Sequence, residues 1–210
     1  MREIRLALVF VLALAGVYPA AAQAPKPDGN AQSVLALTAQ DRVLGKPDAP
    51  ITIVEYASLT CPACAHFANE VLPKLKEKWI DTGKARLVMR DFPRDGADLQ
   101  AHMLVRCVPP ERFYPLVETL FETQGKWVLA KDPRDALEKL VRLAGIAKKE
   151  FDACISDKSL EDQVTQSRLT AAQLLGVNST PSFFVNGKKY EGERTFEKMD
   201  QLLSGLPEKP

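Results

Sequence analysis

Two cysteines stand two residues apart in the stretch ASLTCPACAHF (57–67): Cys61 and Cys64, with Pro62 and Ala63 between them and His66 just behind. Thiols at this spacing serve four kinds of chemistry: haem attachment, metal ligation, a structural bridge, or reversible dithiol–disulfide exchange. Haem attachment needs a histidine directly after the second cysteine, and Ala65 stands there. Zinc would have to gather Cys61, Cys64, His66 and His102, whose histidines lack a recognisable ligand spacing, and helical phase turns His66 away from the thiols. A structural bridge across so short a loop restricts the unfolded chain little. The redox reading gives each thiol a role. Cys61 sits just ahead of a helical pattern, where unpaired backbone N–H groups and the positive end of the helix dipole favour a thiolate nucleophile. Cys64, one turn inside, is shielded and within reach of a mixed disulfide, as a resolving thiol must be.

The surrounding elements have to place that pair. The run ITIVEYA before it (Ile51–Ala57) is apolar on both faces apart from Glu55, which suggests a buried central strand. A helix follows, with Pro62 in the favoured first turn and Cys64, Phe67, Val71, Leu75 and Trp79 on one stripe; Pro73 inside it predicts a kink. Residues 85–93 alternate as a second strand, completing a βαβ unit. From 97 to 175 the apolar spacing is helical. One stripe runs through Ala101, Leu104, Val105 and Val108 and another through Phe113, Leu116, Val117, Leu120 and Phe121. Further helices are expected from the N-cap Asp132 to Gly145, over 148–155 and over 159–175. Strand character returns at PSFFV, and Asn186-Gly187 before KKYEG signals a tight type I′ hairpin; Thr195 caps a last helix. The fold class is therefore α/β with an inserted all-helical subdomain.

The first 22 residues have Arg2 and Arg5, an apolar run and then small residues, the layout of a secretory signal peptide cleaved near Ala22. That run is too short to span a membrane. Residues 23–44 read as an arm or linker with at most a short helix near 33–40, and 45–210 as one domain. The composition, 46% hydrophobic and 26% charged, is that of a soluble globular protein. Removing 1–22 takes away Arg2, Arg5 and Glu3 and leaves acids and bases equal in number. Such a surface has no field to recruit nucleic acid or an anionic membrane.

VEYASLTCPACAHF, the strand after it, the helical insertion and NSTPSFFVNGKKYEG together resemble the DsbA-type thiol:disulfide oxidoreductases of the bacterial periplasm, over about residues 45–205. The resemblance implies a thioredoxin fold, Cys61 as exposed nucleophile, Cys64 as buried partner and Glu55 as a buried acid that exchanges a proton with Cys64. On residues alone, Glu55 could instead face water from an edge strand. The resemblance also implies a cis-proline loop at Thr180-Pro181, with the Thr180 backbone pairing with a bound peptide as a strand would. Thr180, Pro181, Pro62 and Ala63 become the residues that meet a client. Where the strongly oxidising DsbA pattern has histidine, this chain has Ala63, so a less depressed Cys61 and a milder oxidant are expected.

Cys107 and Cys154 remain, either as free buried thiols or as a pair. An oxidising compartment favours pairing, and with Cys61 joined to Cys64 only Cys107–Cys154 is left; similar extra pairs occur in some relatives. The expectation is a periplasmic enzyme with no cofactor beyond its Cys61–Cys64 disulfide and no metal, acting as a monomer on exported thiol proteins and reoxidised by a DsbB-like membrane protein. Its rivals are a reductase or isomerase kept reduced by a DsbD-like partner, and a non-catalytic metal- or peptide-binding module.

Overall fold

The computed structural model describes residues 30–206; the expected signal peptide, 1–22, and the start of the expected arm lie outside the described residues. In chain order, α1 (Asn30–Leu35), β1 (Val43–Leu44), β2 (Ile51–Ala57), α2 (Pro62–His66), α3 (Leu72–Leu75) and β3 (Ala85–Asp91) come first. The helical insertion follows: α4 (Gly96–Cys107), α5 (Pro110–Glu122), α6 (Gln124–Val128), α7 (Pro133–Leu143), α8 (Lys148–Ile155) and α9 (Lys158–Leu174). The chain closes with β4 (Ser182–Val185), β5 (Lys188–Tyr190) and α10 (Phe196–Ser204).

The sheet order is β1-β3-β2-β4-β5, with β2 parallel to β3 and the other pairs antiparallel. Apolar character on both sides of β2 follows from its middle position. Ile51, Ile53 and Ala57 enter the main core with Leu87 and Met89, while Val54 and Tyr56 enter a second core under α1 and α9 with Leu35, Ala171 and Phe184. Asn186 (φ 47°) and Gly187 (φ 80°) turn β4 into β5, both left-handed as a type I′ turn requires. The Asn186 side chain accepts from Thr52 N–H at 2.9 Å, which ties the hairpin tip to the start of β2.

Three local expectations shift. The helix entered at Pro62 does not simply kink at Pro73; it widens into π-helical turns at Phe67–Val71 and Lys76–Ile80 on either side of α3, and Leu72 N–H reaches back to Phe67 C=O. A proline donates no helical hydrogen bond, and one wide turn is a way to carry the ladder past it. The short helix of the arm lies at Asn30–Leu35 instead of 33–40, and Val43–Leu44 already pair with β3, so the expected boundary at Gly45 falls inside the fold. Arg90 on β3 holds this segment: its guanidinium pairs with Asp41 at 2.8 Å and donates to the carbonyls of Val34 and Ala36. Finally, α6 is a helix without an apolar stripe long enough to read; its one fully buried anchor, Trp127, donates to Leu120 C=O at 3.0 Å.

Inside the insertion, Cys107 at the end of α4 and Cys154 on α8 are joined by a disulfide, with Cα atoms 5.8 Å apart and a sequence separation of 47. Closing a loop of that length removes about 4 kcal/mol of unfolded-chain entropy in the loop-closure model. The double variant Cys107→Ser/Cys154→Ser should lose stability of that order in urea unfolding of the otherwise unchanged protein. An unaltered unfolding midpoint would show that the bond adds nothing to the fold.

Candidate active site

At Ala57 the chain leaves β2, passes through Ser58, Leu59 and Thr60, and enters α2 with Cys61 as N-cap in extended conformation (φ −84°, ψ 121°). Pro62 occupies the first helical position, where its missing N–H breaks no intrahelical bond. The N–H groups of Cys64 and Ala65 both bond to Cys61 C=O at 3.1 Å, closing the first turn behind the cysteine. Cys61 and Cys64 are free thiols, 6% and 0% exposed, and Pro62 and Ala63 beside them are exposed.

Position splits the two thiols. The Cys64 thiol, the Thr180 side chain and the backbone N–H groups of Cys64 and Ala63 bring Cys61 from its ordinary 9 down to about 5, against an opposing pull from burial. None of these groups is the side chain of residue 63. Cys64 moves the other way, pushed far up by burial first, then by the Cys61 thiol and by the negative charge of Glu55. At neutral pH the pair therefore holds one thiolate, on Cys61, and one thiol, on Cys64.

Glu55 lies at the middle of β2, opposite Met89 on β3 and Phe183 on β4. It is 4% exposed, and its Oε1 has no hydrogen-bond partner. An edge-strand position in water is thus ruled out by the sheet order. Burial, followed by repulsion from Cys61, raises its carboxyl from 4.5 to about 8. The Thr180-Pro181 bond is cis, and Cys61 Sγ lies 3.4 Å from Thr180 C=O, to which it donates while it carries its proton. Pro181 is buried and Thr180 half-buried, so the loop edge beside the sulfur is a backbone carbonyl. Cys61, Cys64, Glu55, Pro62, Ala63, Thr180 and Pro181 are brought together; Cys107 and Cys154 are bonded to each other in the insertion instead.

The histidines weighed as zinc ligands do not converge on the thiols. His66 is exposed. His102, on α4, is wholly buried between two carboxylates, Nδ1 at 2.8 Å from Asp91 and Nε2 at 3.4 Å from Asp98. Arg106 closes this network with both oxygens of Asp91, 2.9 and 3.1 Å away, and burial of Asp91 is more than offset by Arg106 and His102, which lower its carboxyl. Among the described residues no group of three or more His, Cys, Asp or Glu side chains is arranged to hold a metal ion.

Two residues near the thiols were not legible in sequence. Asp98 accepts Leu59 N–H at 2.8 Å, and Gln124 Nε2 donates to Leu59 C=O at 2.9 Å and Cys61 C=O at 3.0 Å. Gln124 belongs to no motif, and Asp98 reads locally as a first-turn acid of α4; the one signal was that Ser58–Thr60, between strand and helix, must find outside partners for its backbone.

A family profile described as thioredoxin matches residues 37–204. A putative protein-disulfide oxidoreductase of Rickettsia bellii is 35% identical over 152 residues, which cover 72% of this chain and 59% of that protein. The chain thus spans less than two thirds of the length of this relative. A probable disulfide bond formation protein D of Bacillus cereus is 31% identical over 150 residues, 69% of each chain. The crystal structure of Wolbachia pipientis alpha-DsbA1 superposes with a TM-score of 0.78 at 32% identity, covering 84% of this chain and 95% of that one. The five-stranded sheet with its helical insertion is accordingly a thioredoxin fold of the DsbA kind. Among the described residues no helix is long and apolar enough to cross a membrane.

Proposed function

This chain belongs to the thioredoxin family, in its DsbA-type branch, and from that premise we propose that it is a periplasmic thiol:disulfide oxidoreductase that introduces disulfide bonds into exported proteins. Residues 1–22 direct export, and the mature chain acts as a soluble monomer. A client thiolate attacks Cys61 Sγ; the Cys61–Cys64 bond breaks, Cys61 and the client sulfur become joined, and Cys64 leaves as a thiolate. Burial makes that thiolate costly, so it takes up a proton at once. Glu55, whose carboxyl keeps its proton up to about pH 8 and whose charge is felt at Cys64, supplies it.

The client's second thiolate then attacks the client sulfur of the mixed disulfide, forming the client's bond and releasing Cys61 as a thiolate. Two electrons have passed from client to enzyme, and a DsbB-like membrane partner takes them away as it remakes the Cys61–Cys64 disulfide. The client's backbone lies along Thr180 as a short strand next to Pro181, with Pro62 and Ala63 against its side chains.

The direction rests on one observation. Cys61 is held as a thiolate at neutral pH, which stabilises the dithiol form without equal help to the disulfide, and so draws electrons from the client. The test is to quench growing cells with acid, alkylate free thiols and read the state of Cys61–Cys64. Mostly disulfide is expected. Mostly dithiol would overturn the oxidase direction in favour of a reductase or isomerase served by a DsbD-like partner.

A further inference from the structure

Ser58, Leu59 and Thr60 belong to neither β2 nor α2, and they are almost completely buried, at 0%, 0% and 8% exposure. Their backbone groups need partners, because a buried N–H or C=O left unpaired keeps the full cost of having lost its water. Ser58 C=O is met locally, by Cys61 N–H at 3.2 Å. Leu59 is met from the insertion on both sides: its N–H by Asp98 of α4, its C=O by Gln124 of α6. The same Gln124 nitrogen spends its second hydrogen on Cys61 C=O at 3.0 Å. One half-buried amide from the insertion therefore spans the residues from Leu59 to Cys61, and Asp98 fixes the near end of that span.

Cys61 C=O is also the carbonyl on which α2 closes, through Cys64 N–H and Ala65 N–H. α2 keeps α-helical spacing from Pro62 to His66, and the same helix goes on as a wide turn at Phe67–Val71. The sulfur lies on the same residue as the carbonyl that Gln124 grips. Where the peptide of Cys61 sits decides how the Ala63 and Cys64 N–H groups bear on that sulfur, and how close it comes to Thr180.

The geometry points to Gln124 as a positioning residue for thiol exchange: from the helical insertion it fixes the Cys61 backbone at the start of α2, and so sets how strongly that helix start favours the thiolate. This rests on the oxidoreductase reading above and adds to it that the redox poise is set in part by the insertion, through a side chain that touches no sulfur. Its amide hydrogens also bring positive charge to the carbonyl side of Cys61, which acts in the same direction.

The experiment compares full-length wild type with Gln124→Leu and the unbranched Gln124→Met, both of which remove the amide at similar volume. Thiolate absorbance is titrated with pH, and each protein is equilibrated with glutathione mixtures. In both variants the thiolate should form about one pH unit higher. The equilibrium should move about tenfold toward the disulfide, which is roughly 30 mV for a two-electron couple. Thermal unfolding is recorded alongside, since a merely structural residue would change the melting temperature and leave titration and potential alone. That result, or failure of both variants to fold, would overturn the inference. A wild type that does not exchange with glutathione at all would instead overturn the oxidoreductase reading, and the two failures are told apart by which protein shows them.

Discussion

Cys61→Ser should abolish disulfide transfer, while Cys64→Ser should yield a protein whose Cys61 thiolate attacks a client disulfide, releases one client sulfur as a thiolate and keeps the other in a mixed disulfide that it does not resolve. A serine hydroxyl at the helix start is no substitute for a sulfur held as thiolate, whose value of about 5 makes it fully charged at neutral pH. With Cys64 replaced, the mixed disulfide at Cys61 has lost the thiol that would resolve it from behind. The measurement is alkylation of the reduced wild type with pH: Cys61 should react first, its rate rising through about pH 5 and levelling above, while Cys64 stays inert until the protein unfolds. Faster modification of Cys64 would reverse the assigned roles.

Glu55→Gln should leave the reduced protein as stable as wild type at pH 4 and make it more stable by about 3 kcal/mol at pH 7, a difference obtained from linkage. The sign follows from a carboxyl raised in the fold from 4.5 to about 8. Below 4.5 it is neutral in both states and costs nothing. Between 4.5 and 8 the unfolded chain gives up the proton while the folded one keeps it, so the folded state loses about 1.36 kcal/mol per pH unit, roughly 5 kcal/mol by pH 8. Glutamine, which does not titrate, removes that slope. It also removes the proton donor for Cys64, so client oxidation should slow by about a hundredfold, at the lower end of what a positioned acid contributes. Urea unfolding of both proteins across this range checks the first part. Parallel pH curves would mean that Glu55 is ionised in the fold and is no proton store.

Much of this protein was written in short-range patterns. The thiols at a helix start, the central strand Ile51–Ala57, the Asn186-Gly187 turn and the helix over Lys148–Ile155 stand at the residues where periodicity and capping put them. Each is decided by forces acting within a few residues: which side chains alternate toward a core, which N–H groups a helix start leaves free, which residues adopt positive φ. The tertiary structure alone decided what meets across the fold. Asp98 finds Leu59 from 39 residues away and Gln124 finds it from 65, and neither has a local pattern that announces it. His102, a zinc candidate by type, became a buried link between Asp91 and Asp98, and residues 30–44, polar enough to read as a linker, were tied into the sheet by Arg90. The physical reason is the same in each case. Apolar periodicity reports which face of an element is buried, but a polar side chain's role depends on which unpaired backbone or charged group the packed elements bring to it, and that is known only once the whole chain has closed.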